Sequence, residues 1–389
     1  MATVLLVLIY VAFISLGLPD ALLGAAWPAM RPGFAVPVSF AGILQVIIAG
    51  GTIVSSMNSG RVLRRFGTGK VTAFSVGLTA IALLGFGLLP SFWWLIAASI
   101  PLGLGAGSVD AGLNAFVAEH YESRHMSWLH SFWGVGALSG PLLLALLLRN
   151  NYSWRTGYLS IGVFQWVLVV VLIVSIPLWK KVAARSGVAP VDSSVEHPSL
   201  AQVVSMRGVP FALVTFLFYC GIEASMGLWG GTYLVAVKGF EPAAAASWVS
   251  AFFASITAGR FLTGFATFKI SNNNLIRGGA IIIIAGVILM LAPLPVAATL
   301  AGFLLVGFGC APIFPCMLHE TPVRFGSTHA QSVMGVQMAF AYIGTTFLPP
   351  LFGFVSSVTS LALLPVFLLG YIAVLFVSSE RLRTIRAGS

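Results

Sequence analysis

Long apolar runs with short polar punctuation dominate the chain. Twelve stand out, at roughly 3–30, 38–59, 71–89, 92–118, 127–148, 155–179, 208–237, 243–266, 275–293, 297–318, 328–354 and 357–379. Each is close to or above the ~20 residues that carry a helix across a ~30 Å hydrocarbon layer. Several connections are as short as Pro90-Ser91 and Pro293-Leu294-Pro295, so the helices they join are antiparallel neighbours. The stretch 180–207 is the longest polar run and divides the helices six and six. The pattern predicts an all-α membrane protein with twelve transmembrane helices in two six-helix bundles. These are 1–179 and 208–389, the second with a short cytoplasmic tail, joined by a cytoplasmic linker over 180–207.

The halves repeat. Asp20 in span 1 is matched by Glu223 in span 7, Gly103-x-Gly105 in span 4 by Gly307-x-Gly309 in span 10, and Gly60-Arg61 after span 2 by Gly259-Arg260 after span 8. Gly140-Pro141 in span 5 falls opposite Pro349-Pro350 in span 11. Each match joins spans six apart, so the repeat is parallel, and folds of this kind carry substrate near the midplane between the halves. A channel is disfavoured, because no filter-like loop or charged ring is visible.

Composition agrees with the apolar runs. The chain is 58% apolar and 8% charged, whereas soluble domains carry about 25% charge, so a water-facing globule is excluded. The net charge of +10 would suggest nucleic acid in a soluble protein. Here it reflects the collection of bases on the cytoplasmic side of a membrane. With the N-terminus inside, the inner face and C-terminus hold Arg61, Arg64, Arg65, Lys70, Arg124, Lys180, Lys181, Arg185, Arg207, Arg260, Lys269, Arg277, Arg324, Arg381, Arg383 and Arg386. The outer face holds only Arg31, Arg149, Arg155 and Lys238, so both termini are predicted to be cytoplasmic. Met1–Tyr10 lacks a basic leader and reads as a first spanning helix, not a removed signal. Cys220, Cys310 and Cys316 sit in apolar runs at no metal-ligand spacing and read as packing residues. Neither a metal nor another cofactor is expected.

Ionisable groups inside spans cost at least ~2.5–3.5 kcal/mol at a helix centre, so they mark substrate or proton pathways. Asp20, Asp110 and Glu223 are such acids, with no Lys or Arg predicted at comparable depth. A carboxylate that takes up a proton within the membrane is what a proton-coupled carrier needs. Asn114 lies four residues after Asp110 and shares its helix face, so both can converge on one ligand. Gly103 and Gly107 let a neighbouring helix approach closely, a packing role. Near Glu223, Tyr219 lies one turn away, and Trp229 and Tyr233 stand toward the outer end. Trp93, Trp94 and Trp154 suit the interfacial belt. Trp229 and Trp133 lie too deep for it and are candidates to line a pocket. Gln45, Gln165 and Gln337 are deep neutral groups suited to orienting a sugar. His130, about one turn into span 5, is read as structural before it is read as a proton relay. The loop "GRVLRRFGTGK" at 60–70 concentrates four bases and reads as an inner-face latch.

That loop resembles the span 2–3 motif of the major facilitator superfamily, with Arg64 where the motif has Asp and Glu119 or Glu122 available to replace that acid. Within the superfamily, "GLPDALLGAAWP", "DAGLNAF", "LHSFWGVGALSGP" and "GIEASMGLW" are similar to the fucose permease-like group of proton-coupled sugar transporters. The resemblance spans essentially the whole chain. It implies a major facilitator fold, proton and sugar handling by the acids of spans 1 and 4 (Asp20 and Asp110), and a bacterial inner-membrane location.

The reading is a carrier that moves a neutral monosaccharide inward with a proton by alternating access. Asp20, Asp110 and Glu223 couple the proton. Gln45, Asp110, Asn114, Glu223, Trp229 and Gln337 bind substrate, and Arg61, Arg64, Arg65 and Arg260 gate the inner face. One chain holds both halves of the pathway, so a monomer suffices. The rivals are a proton-driven exporter of sugars or small hydrophobic compounds and a non-transporting membrane sensor. An enzyme is disfavoured by the lack of a nucleophile–base or metal constellation, His319 and Glu320 reading as a helix end.

Overall fold

The computed structural model describes residues 2–185 and 200–385, and all regular structure among them is helical. The elements are α1 (Ala2–Asp20), α2 (Leu22–Phe34), α3 (Phe40–Phe66), α4 (Thr68–Leu88), α5 (Phe92–His120), α6 (Ser123–Arg149), α7 (Trp154–Arg185) and α8 (Leu200–Ser205). They continue with α9 (Val209–Lys238), α10 (Pro242–Ala266), α11 (Asn272–Leu291), α12 (Val296–Cys310), α13 (Ile313–Phe325), α14 (Ser327–Val358) and α15 (Leu364–Thr384). Among the described residues, 12 helical segments are long and apolar enough to span a membrane. Of the expected linker, residues 186–199 lie outside the described part, as does Arg386 from the count of bases. The chain packs as two units, Met1–Val191 with Phe240–Ser250, and Asp192–Gly239 with Ala251–Ser389.

Two predicted helices are broken. Span 1 stops at Asp20 and restarts at Leu22, with Ala21 at φ −95° and ψ −8°. Pro19 is the cause, since it has no N–H to return to the carbonyl four residues back. Span 10 breaks between Cys310 and Ile313 at Ala311-Pro312 for the same reason. The basic loop at 60–70 is, against expectation, mostly helix. Arg and Leu favour helix, so α3 runs through Arg61, Arg64 and Arg65 to Phe66. The connection to α4 is the single residue Gly67, at φ +82°, a region that favours glycine. Gly326, at φ +80°, makes the same one-residue corner between α13 and α14.

In lipid, apolar side chains gain little by meeting each other, so close backbone approach and van der Waals fit hold helices together. Glycines provide that approach, in matching pairs. Gly103 of α5 lies against the Ile48 carbonyl of α3, and Gly307 of α12 against the Phe252 carbonyl of α10. Gly105 lies against the Ser75 carbonyl of α4, and Gly309 against the Gly279 carbonyl of α11. Gly136 of α6 meets Ile14 of α1, and Gly344 of α14 meets Leu217 of α9, again at the carbonyl. The Gly-x-Gly pairs thus serve two neighbours at once, one glycine for each.

These contacts leave no room for a methyl group. Gly105→Ala and Gly309→Ala should each destabilise the fold by about 1–3 kcal/mol, the usual range for overpacking. Gly370→Ala, where nothing lies within 4 Å, should leave it unchanged. Thermal melting of the purified variants in detergent checks the contrast.

Candidate functional site

Asp20 ends α1 at the Pro19 break, near the middle of the 33-residue span Ala2–Phe34. Its side chain is exposed, and its Oδ2 accepts a hydrogen bond from the Trp133 indole Nε1 at 2.7 Å. Trp133 comes from α6, which Gly17 and Gly136 bring against α1. One turn before it, His130 sets its ring edge-on to Phe13, with centroids 5.8 Å apart. Asp110, half-buried in α5, is near enough that its charge bears on Asp20. Asn114 Nδ2 donates to both Asp110 Oδ1 and the Asp110 carbonyl, each at 2.9 Å. The first unit therefore brings Asp20, Trp133, Asp110 and Asn114 into one polar patch.

Gln45 does not share it. The contacts of Gly103 with Ile48 and of Gly107 with Thr52 fix the register of α3 on α5. They place Asp110 level with Ser55 and Ser56, whose hydroxyls bond α5 at Ser108 and at the Gly107 carbonyl. Gln45 lies some ten residues up α3, about 15 Å along the axis at 1.5 Å per residue. Gln165 is also unavailable to a substrate: it is 1% exposed, and its amide is engaged by Thr79 and the Ser15 carbonyl.

In the second unit the expectation of an isolated acid is overturned. Glu223 faces Arg260, with Nη2 3.6 Å from Oε2 and side chains 14% and 20% exposed. The Tyr219 hydroxyl donates to Glu223 Oε2 and accepts from Arg260 Nη2 at 3.4 Å. Arg260 therefore lies within α10 and not in an inner loop. Its sequence match to Arg61 was one of dipeptides, whereas the glycine contacts align Phe252 with Ile48 and so Arg260 with Ser56. Arg260 lies more than a turn deeper than Arg61's counterpart. An arginine within the apolar run "ITAGRFLTGF" was the signal that pointed to it.

Trp229 and Gln337 are corrected as well. Trp229 is 0% exposed, with its Nε1 donating to the Pro349 carbonyl at 2.7 Å and its ring against Gly353. An indole N–H in an apolar core needs an acceptor, and this one has it within the unit. Gln337 is 1% exposed, and its Oε1 accepts from the Thr321 hydroxyl at 3.0 Å. Neither presents surface to a ligand. Arg61, Arg64 and Arg65 are exposed along the end of α3, with no ion pair among the described residues. Glu119 is exposed beside His120, 3.9 Å away. His319 and Glu320 join a helix-end cluster: Asn272 donates to Glu320 at 3.0 Å, and Arg324 binds Glu320, Asn273 and the Leu382 carbonyl. Cys220, Cys310 and Cys316 are buried free thiols.

Removing one partner of a largely buried ion pair leaves the other charge uncompensated, at a cost of about 3–5 kcal/mol. Arg260→Met should lose that much stability, and Arg260→Met with Glu223→Gln should recover most of it. Chemical unfolding in mixed detergent micelles measures the cycle, and additive losses would deny the coupling.

The sequence profile of the Major Facilitator Superfamily matches residues 9–349. The glucose/mannose transporter GlcP of Bacillus subtilis (strain 168) is 24% identical over 262 residues, which make up 66% of this chain and 64% of GlcP. The chain thus spans slightly less than two thirds of that relative. The niacin transporter NiaP of Acinetobacter baylyi is 25% identical over 203 residues, 45% of this chain and 46% of NiaP. In structure, a bacterial homologue of the human lysosomal transporter Spinster superimposes with a TM-score of 0.79 at 13% identity, covering 98% of this chain and 97% of that one. With twelve spans, this fold and a profile match over most of its length, the chain belongs to the Major Facilitator Superfamily.

Proposed function

We propose that the protein takes up a neutral monosaccharide together with a proton by alternating access. The observation that carries the reading is Asp20, exposed at a mid-span helix break, held by a neutral indole and within electrostatic reach of Asp110. Two like charges in a poorly screened region repel, and a proton shared by the pair relieves the repulsion. Asn114 keeps its amide on Asp110, while its carbonyl oxygen makes no bond among the described residues and suits a sugar hydroxyl. The glucose/mannose specificity of GlcP supports a sugar.

In this cycle the carrier reorients with proton and substrate both bound, or with neither. Enclosing substrate against a bare, dehydrated carboxylate costs several kcal/mol, which suppresses passage of substrate without its proton. Glu223 is charge-balanced by Arg260, so the proton is carried in the first unit. The carrier works as a monomer in a bacterial inner membrane, with both termini in the cytoplasm.

Monosaccharide pulses to a lightly buffered suspension of de-energised cells expressing the protein test this directly. Alkalinisation of the medium with one sugar, absent in Asp110→Asn, is the expected result. A response to niacin but to no sugar would move the substrate class to small carboxylates. Silence across the panel, with protein present in the membrane, would favour the exporter.

A further inference from the structure

The break that carries Asp20 creates a local deficit elsewhere in α1. Because Pro19 has no N–H, the Ser15 carbonyl loses its intrahelical donor. A backbone carbonyl buried within an apolar span needs a replacement. Gln165 of α7 is that replacement: its Nε2 donates to the Ser15 carbonyl at 2.8 Å, and its Oε1 accepts from the Thr79 hydroxyl of α4 at 2.7 Å. The amide's orientation follows from chemistry, since a carbonyl can only accept. Gln165 and Thr79 are 1% and 4% exposed, so water does not compete. Thr79 in turn packs its methyl and backbone nitrogen against Gly105 of α5, five residues before Asp110. A single amide thus ties the break beside Asp20 to α7 and α4, and through α4 to the helix that bears Asp110.

We propose that Gln165 is a positioning residue for Asp20. It occupies the carbonyl that Pro19 leaves open and so fixes where α1 ends and where the carboxylate meets Trp133. It touches neither proton nor substrate. The inference deepens the transport reading only where Asp20 is taken to bind a proton; the positioning itself is independent of what is carried.

Gln165→Leu keeps most of the side chain's volume and removes both hydrogen bonds. In the purified full-length protein, hydrogen exchange over a peptide covering residues 15–25 should speed up about five- to tenfold, the scale of one hydrogen bond. Pro19→Ala restores an N–H at residue 19 that reaches Ser15, so Gln165→Leu in that background should add nothing. If Gln165→Leu does not fold, Thr79→Val, which removes the hydroxyl that orients the amide, serves in the same comparison. Unchanged exchange, or acceleration that Pro19→Ala does not suppress, overturns the proposal.

A second readout is one that a merely structural role would not move. The pH titration of tryptophan fluorescence, taken as the difference between the protein and its Trp133→Phe variant, follows the indole bonded to Asp20. Asp110 is the other titratable group bearing on Asp20 and is left intact, as is His130 one turn from Trp133. Gln165→Leu should shift the midpoint by about half to one pH unit, and Pro19→Ala should return it. An identical midpoint overturns the positioning role. Absence of any Trp133-dependent transition in the unmutated protein would instead count against Asp20 as a proton carrier, and exchange alone would then decide on Gln165.

Discussion

A carboxylate inside a hydrocarbon layer persists only where donors meet it, and this constraint separates the two units. Asp20 and Glu223 occupy equivalent places in the repeat, each on the first helix of its bundle at the same step from a glycine-contacted carbonyl. The first unit meets its acid with an indole N–H, which is neutral and brings no compensating charge. The second meets its acid with a guanidinium and a phenol, which settle the charge within the protein. One architecture thus yields one acid held by a neutral donor and one paired with a cation.

The framework beneath this asymmetry is close to symmetric, and much of it was legible in the sequence. Apolar runs of spanning length gave the helices, and Gly103-x-Gly105 with Gly307-x-Gly309 gave the repeat its register. That register holds because each glycine seats a neighbour's carbonyl, so the pattern is tied to backbone geometry and survives where side chains diverge. Asp20 and Glu223 were legible as a pair for the same reason.

The partners of those acids were not. Arg260 was aligned with Arg61 because two Gly-Arg dipeptides look alike, and only the contact between Gly307 and Phe252 shows which turn of α10 faces inward. Trp229, Gln337 and Gln165 share one lesson. A polar atom deep in a span can serve a ligand or another part of the protein, and one sequence does not tell which. In all three the partner is a group from another helix: the Pro349 carbonyl, the Thr321 hydroxyl, the Ser15 carbonyl. Pro19 was visible from the start, yet its effect on Ser15 depends on what α7 places alongside.

The single-glycine corners at Gly67 and Gly326 have a mechanical meaning. A one-residue connection stores no slack, so the facing ends of α3 and α4, and of α13 and α14, stay together. Any rearrangement of either bundle must take up its change of length elsewhere, at longer connections or at the proline breaks of spans 1 and 10. Probes placed on the last residue of α3 and the first of α4 would keep their separation through any such rearrangement.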